Sequence, residues 1–265
     1  MDFELRGKRA LVSGSTVGIG FAIAKALAAE GATVIVNGRS EERVAKAVAA
    51  IRAAGLPDAD LQGIAADLGT AAGCAKVVQE VPEVDILVNN LGIFEAKPFA
   101  QITDEEWLHF FEVNVLSGVR LSRAYLPGML TRNWGRILFI SSESALQIPV
   151  EMIQYGTTKT AQLAVARGLA EMTAGSAVTV NCILPGPTKS EGVADFVARL
   201  AAKQGNSAAD IERDFFLHAR PTSLLKRFET PDEIAALTAF IASPRASGVN
   251  GAALRVDGGV VRAIG

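Results

Sequence analysis

Short apolar runs alternate along the chain with longer stretches in which apolar positions recur at helical spacing. RALVSG (9–14) has the composition of a strand, and IGFAIAKALAAEG (19–31) follows with a helical period that stops at Gly31. ATVIVNG (32–38) predicts a second strand, and SEERVAKAVAAIRAAG (40–55) a helix with Ser40 as its N-cap. LQGIAAD (61–67) and VDILVNN (84–90) predict strands three and four, and a long helical region runs from about Asp104 into the 120s. GRILFISS (135–142) is a fifth strand, a helix running to about Glu171 follows, and AVTVNCILPG (177–186) is a sixth strand. TPDEIAALTAFIAS (230–243) reads as a helix capped by Thr230 with Pro231 in its first turn, and AALRVDGG (252–259) as a seventh strand. Strands that are apolar throughout and separated by helices imply a parallel sheet covered on both faces. The expectation is one doubly wound α/β domain over residues 1–265 with a seven-stranded parallel sheet. Residues 187–228 break the rhythm, and an excursion of that length predicts a lid over a substrate.

Composition narrows the possible partners. The chain has 265 residues, 49% of them hydrophobic, and carries 26 basic against 28 acidic side chains for a net charge of −2. Without a long run of like charge, neither nucleic acid nor an anionic membrane is an expected partner. Cys74 and Cys182 stand in apolar or small-residue surroundings outside any CxxC pair, which predicts two reduced, buried thiols in a cytoplasmic protein. His109 and His218 show no metal-ligand spacing, so no metal is expected. MDFELRGKRALV is charged ahead of its first apolar run, unlike a signal peptide, and the apolar stretch near 161–184 is interrupted by Arg167, Glu171 and Asn181.

SGSTVGIG (13–20) places Gly14, Gly18 and Gly20 between the first strand and the first helix. A helix N-terminus offers unpaired N–H groups, and glycines let a pyrophosphate approach them. Gly14, Ser15, Gly18, Ile19 and Gly20 are therefore cofactor-binding candidates, against the alternative of a plain glycine turn. At the end of strand two, where a dinucleotide fold often carries an acid for the ribose 2′-OH, the sequence has Gly38 followed by Arg39. A guanidinium there suits a 2′-phosphate, which favours NADP(H) and leaves NAD(H) possible, the alternative being a solvated arginine.

QYGTTKTA (154–161) sets Tyr155 and Lys159 four residues apart, on one helix face. A nearby ammonium favours the phenolate and would tune Tyr155 towards proton transfer at neutral pH. The alternative is a half-buried tyrosine with a lysine stem passing it. FISS ends at Ser142, at the carboxyl end of a central strand, where open α/β sheets bind ligands. Its hydroxyl could donate to a carbonyl oxygen; Ser141 competes, but strand alternation lets only one of the two face the site.

Taken together, SGSTVGIG, Asp67 after strand three, NNLG (89–92), Asn114 in FEVNV, Ser142, Tyr155-x-x-x-Lys159, PGPT (185–188) and VDGG (256–259) resemble the short-chain dehydrogenase/reductase family along the whole chain. NNLGIF and VRLSRAYL resemble a bacterial group within it. The resemblance implies a Rossmann-type fold and hydride transfer between a nicotinamide cofactor and a carbonyl or alcohol carbon. It implies that Tyr155 exchanges the proton, that Lys159 lowers the Tyr155 pKa and binds the nicotinamide ribose, and that Ser142 positions the substrate oxygen. Asn114 would hold a relay water. Asp67, with Leu68 beside it, would bind the adenine, and Asn89 and Gly92 would pass the adenosine. Thr188, after Pro185 and Gly186, would bind the carboxamide. A homotetramer or homodimer is implied too. Leu91 stands in place of the family's alanine, and Val17 where many NADP-preferring members carry a basic residue. KRFETPDEIA lacks the usual glycine ahead of Pro231, a change expected to touch the last helix and not the chemistry.

The excursion carries Val193, Phe196, Val197 and Leu200, then Phe215, Phe216 and Leu217. These either line an apolar substrate pocket or pack onto the domain. Glu143, Ser144, Gln147 and Gln154 would temper an apolar pocket; Glu143 by itself reads as a solvated or backbone-bonded acid, and His218 as a surface residue. The competing functional class is a non-catalytic dinucleotide-binding redox sensor. A serine hydrolase would need a G-x-S-x-G elbow that the chain lacks, and enoyl reduction would need a wider Tyr–Lys spacing that Tyr125 does not supply.

Overall fold

Alternate strand residues separate into two buried layers, as the two-residue period of a strand requires. Ala10, Val12, Val34, Val36, Ile86, Val88, Leu138 and Ile140 pack in one layer with Ile23, Leu27, Ile234 and Ala239 of the covering helices. Leu11, Ile35, Leu87, Ile137, Phe139, Val180 and Cys182 pack in the other with Val77, Leu121, Tyr125 and Ala166. The structure, a computed structural model, describes residues 2–191, 193, 194, 198, 201, 205 and 207–264.

The strands are β1 (Arg9–Val12), β2 (Thr33–Gly38), β3 (Leu61–Ala65), β4 (Ile86–Asn89), β5 (Gly135–Ile140), β6 (Val178–Pro185) and β7 (Ala253–Val256). They form one sheet in the order β3-β2-β1-β4-β5-β6-β7, and every pairing is parallel. The expected seven-stranded, doubly wound domain is what forms. Strand order reverses between β1 and β4, so the carboxyl ends of these two strands flank the crevice where such sheets bind ligands.

The helices among the described residues are α1 (Gly18–Ala29), α2 (Glu41–Ala53), α3 (Ala71–Glu80), α4 (Asp104–Phe111), α5 (Ser117–Thr131), α6 (Ile153–Glu171), α7 (Ala208–Asp214) and α8 (Pro231–Ile241). Ser40, Thr70, Thr103, Ser207 and Thr230 cap α2, α3, α4, α7 and α8 through their hydroxyls, while α1 begins at Val17 with no side-chain cap. The helical region from Asp104 is broken by a π-helical turn, Glu112–Leu116, before it continues as α5. Such wide turns gather at functional sites, and this one holds Asn114. None of the described helices is long and apolar enough to cross a membrane.

Candidate active site

Ser141 and Ser142 follow β5 and face opposite ways, as strand alternation predicts. Ser141 Oγ donates to the Lys159 carbonyl on α6 at 2.9 Å, so its hydroxyl ties strand to helix. Ser142 is the serine on the Tyr155 side, close enough to act on the phenol's pKa. Residues 153–156 start α6 beside it: Gly156 is where the helix passes the 144–148 segment, since a Cβ there would stand 2.7 Å from Ile148 Cγ2 and 3.0 Å from the Ser144 carbonyl. Tyr155 is half-buried, with the Phe94 ring edge-on at a centroid distance of 6.3 Å.

Lys159 is buried one helical turn on, and its Nζ donates to the Ile140 carbonyl at 2.9 Å and to Gln162 Oε1 at 3.4 Å. Its Nζ lies 5.6 Å from the centroid of the Tyr155 ring. Spacing predicts that the ammonium lowers the phenol's pKa; in the structure burial governs both groups. Burial, with the Glu143 charge second, pushes the Tyr155 phenol up, and the nearby Ser142 hydroxyl and Arg220 draw it partly back. Burial holds the Lys159 amine down to about 8. Below that pH an ammonium still stands beside the phenol.

Asn114, in the π-helical turn, is buried and fully engaged. Its Oδ1 accepts from the Ile93 N–H (2.7 Å), and its Nδ2 donates to the Ile93 carbonyl and to Thr158 Oγ1, each at 3.0 Å. Gln162 Nε2 donates to the Asn114 carbonyl at 2.5 Å while its Oε1 receives Lys159. A side-chain amide thus bridges Lys159 and the Asn114 carbonyl. Gly92 closes this corner, for a Cβ there would meet Lys159 Nζ at 3.3 Å.

The glycine loop fits the pyrophosphate it implies. Gly14 and Gly18 hold φ values of +61° and +60°. A Cβ on Gly20 would stand 2.4 Å from Asn90 Nδ2 and 2.5 Å from the Gly14 carbonyl. The uncapped N-terminus of α1 leaves the N–H groups of Gly18, Ile19 and Gly20 for an anion. Ser15 is fully buried: its hydroxyl donates to the Val12 carbonyl at 2.7 Å and accepts the Asn37 N–H at 2.9 Å, and its own N–H donates to the Asn37 carbonyl at 2.9 Å, so it shapes the loop from within. Arg39 is exposed at the end of β2 and has no hydrogen bond or ion pair among the described residues.

On the adenosine side the two asparagines divide the work. Asn89 is turned inward, its Nδ2 donating to Ser122 Oγ at 3.2 Å. Asn90 holds the glycine loop instead, its Nδ2 donating to the Ser13 and Gly14 carbonyls at 2.9 and 3.1 Å. Asp67 is exposed, with Oδ1 accepting from the Gly69 N–H at 3.0 Å, and the Leu68 side chain lies in the core. At the end of β6, past Pro185, the Gly186 N–H donates to the Val256 carbonyl at 2.7 Å and to Glu229 Oε2 at 3.0 Å, and Thr188 Oγ1 donates to the Gly186 carbonyl at 2.9 Å. Glu229, ahead of the Thr230 cap of α8, thus reaches beyond that helix: its buried carboxylate grips the PGPT loop, and burial raises its pKa to about 7.

Glu143 also departs from expectation. It is buried rather than solvated: Oε2 accepts the Ser142 hydroxyl at 2.5 Å and Oε1 accepts from Arg220 Nε at 3.1 Å. Arg220, from the 187–228 excursion, also donates to Glu151 Oε1 at 3.3 Å. The partners lie 77 residues apart, so no local spacing could reveal the pair. His218 is exposed, as expected. Phe215 stacks on Phe228 and Phe216 meets both rings edge-on, with centroids 5.0–5.2 Å apart and Ile211, Ala201 and Val193 around them. That part of the excursion has its own small core, and Leu217 is left exposed. Phe196, Val197 and Leu200 lie outside the described residues.

Comparison with known proteins agrees with this fold. The family model of the short chain dehydrogenases matches residues 8–201, and the chain belongs to that family. An uncharacterized oxidoreductase of Bacillus subtilis, YvaG, is 48% identical over 264 residues, covering 100% of both chains. The D-beta-hydroxybutyrate dehydrogenase of Cupriavidus necator is 36% identical over 97% of this chain and 99% of its own. The crystal structure of L-sorbose reductase from Gluconobacter frateurii, complexed with NADPH and L-sorbose, superposes with a TM-score of 0.92 at 30% identity over 100% of both chains. The protein is an oxidoreductase of a family that reduces carbonyls or oxidises alcohols with NAD(P).

Proposed function

We propose that this protein interconverts a small polar carbonyl compound and its secondary alcohol with NADP(H), Tyr155 serving as general acid and base. The observation that carries the reading is the meeting of Ser142, Tyr155 and Lys159 at the carboxyl end of β5, a strand of the sheet whose reversal point holds the glycine loop. Gly14, Gly18, Ile19 and Gly20 would hold the pyrophosphate. Arg39 would meet the 2′-phosphate, and Asp67, Asn90 and Gly92 would flank the adenosine side. Gly186 and Thr188 would meet the nicotinamide end. When bound, the cofactor supplies or receives the hydride.

The chain's own residues do the rest. Ser142 orients the substrate oxygen, and Tyr155 gives its proton to that oxygen in reduction and takes one in oxidation. Lys159, below its pKa of about 8, lends a positive charge that eases ionisation of Tyr155. Asn114 and Gln162 fix Lys159 in place. The 187–228 excursion, tied down through Arg220, acts as the lid over the substrate. Two free, buried thiols suit a reducing compartment such as the cytoplasm.

A ketose in one relative's name and a hydroxy acid in another's both carry an oxygen beyond the reacting carbon, which supports a small polar substrate. The test is nicotinamide absorbance with a panel of ketones, aldehydes, sugars and 3-oxoacyl thioesters, run with NADPH and NADH. NADPH is expected to bind at least about tenfold tighter than NADH, and Arg39→Ala to remove most of that difference. Tighter binding of NADH would overturn the cofactor assignment.

A further inference from the structure

Ser142 has one hydroxyl proton, and it is directed at Glu143. Its Oγ donates to Glu143 Oε2 at 2.5 Å and accepts the Ser144 N–H at 3.1 Å. In this state Ser142 can accept a hydrogen bond but cannot donate one to a carbonyl oxygen. Something must displace the serine proton from Glu143 before Ser142 can act on a ketone.

Glu143 is held where it is. Only 4% of it is exposed, and Arg220, 9% exposed, fastens Oε1 through Nε. Arg220 is itself occupied, with Nη1 donating to the Ala219 carbonyl at 2.9 Å and to Glu151. Ser142 is the hydrogen-bond donor to Oε2 among the described residues, so a hydroxyl that takes its place frees the serine proton.

We propose that Glu143 selects substrates bearing a hydroxyl one or two carbons from the reacting carbonyl. The substrate hydroxyl donates to Glu143 Oε2 in place of Ser142, and the released Ser142 proton turns to the carbonyl oxygen. The inference rests on the carbonyl–alcohol reading above. No covalent bond changes in this exchange: one hydrogen bond replaces another. The reduction that follows adds a hydride to the carbonyl carbon and the Tyr155 proton to its oxygen. The dimensions suit the exchange. Ser142 Oγ and Glu143 Oε2 are 2.5 Å apart, and hydrogen bonds of about 2.7 Å from each reach two oxygens that vicinal or 1,3-related carbons can carry.

Charge favours a neutral hydroxyl over an anion. Glu143 and Glu151 share one arginine, so the trio carries one net negative charge and offers a substrate carboxylate no free cation. Arg220 and Glu151 also line a cavity of about 500 Å³ between residues 147–151 and 218–220.

The test uses the full-length protein with NADPH and compares kcat/KM for hydroxyacetone, 4-hydroxy-2-butanone, 5-hydroxy-2-pentanone, butanone and acetoacetate. The first two should exceed butanone by on the order of 100-fold, because a site built for a hydroxyl rejects the analogue that lacks it. 5-Hydroxy-2-pentanone should lose that advantage, and acetoacetate should fall below butanone. In Glu143→Gln the preference should shrink to below about tenfold while the NADPH Kd is unchanged. Calorimetric titration of the NADP-loaded protein should show 1,2-propanediol binding more tightly than 2-propanol, a difference lost in the variant. Wild-type turnover of butanone or acetoacetate with no hydroxyl preference would overturn the role of Glu143 and leave the carbonyl–alcohol reading standing. A preference unchanged in folded Glu143→Gln would do the same. Absence of Tyr155-dependent turnover on every carbonyl would overturn both.

Discussion

At the scale of single residues, Glu229 shows how one side chain links stability to the cofactor loop. Its carboxylate is buried and accepts from the Gly186 N–H, and burial raises its pKa from 4.5 to about 7. Between those values the folded protein holds a proton that the unfolded chain has released. Stability therefore falls as pH rises through that window, and the ionised carboxylate is a standing penalty above pH 7. Glu229→Gln keeps an oxygen for Gly186 and removes the charge. It is expected to stabilise the protein by about 1–2 kcal/mol at pH 8, or roughly 2–4 °C in Tm per kcal/mol, and to flatten the decline between pH 4.5 and 7. Calorimetry across pH reads this; an unchanged profile would refute it. The residues the sequence revealed were those whose partners stand at a fixed offset: Tyr155 and Lys159 on one helix face, Ser142 against Ser141 by strand alternation. Glu143–Arg220 and Glu229–Gly186 join segments distant in sequence, and Asn90 rather than Asn89 reaches the glycine loop because strand β4 ends at Asn89 and turns the next side chain over. None of these had a local signal.

At the scale of elements, the caps and the glycine loop were legible because their chemistry is local. Ser40 and Thr230 cap α2 and α8 as expected, and Thr230 completes a capping box with Glu233. The π-helical turn at Glu112–Leu116 was not, since an apolar pattern does not distinguish an i→i+4 ladder from a single i→i+5 turn. The excursion's Phe215 and Phe216 left two readings open in sequence, and their ring contacts with Phe228 place both in packing. The loop between β1 and α1 gives the prediction at this scale. A methyl on Gly20 collides with Asn90 Nδ2 and with the Gly14 carbonyl, and backbone cannot give way as a flexible side chain would. Gly20→Ala should weaken NADPH binding by at least about tenfold in fluorescence titration while circular dichroism stays native. Undiminished binding would show that the loop does not cradle the cofactor.

At the scale of the whole molecule, seven parallel strands follow from apolar runs separated by helical stretches, and the site follows from where strand order reverses. Assembly is a separate matter. Leu108 on α4, Leu116 beside it and Met172 at the end of α6 are exposed large apolar residues, consistent with the homodimer or homotetramer that the family resemblance implies. Light scattering at micromolar concentration should give two or four times the chain mass of 27.7 kDa; a monomer would refute an oligomer. The central claim is that Tyr155 transfers the proton in an NADP(H)-dependent carbonyl–alcohol reaction. Its most direct test compares wild type and Tyr155→Phe on one reduced carbonyl, with the NADPH Kd measured alongside. The account predicts that kcat falls by on the order of 10³ or more while NADPH binds within about twofold of wild type. Turnover retained within tenfold in Tyr155→Phe would contradict it.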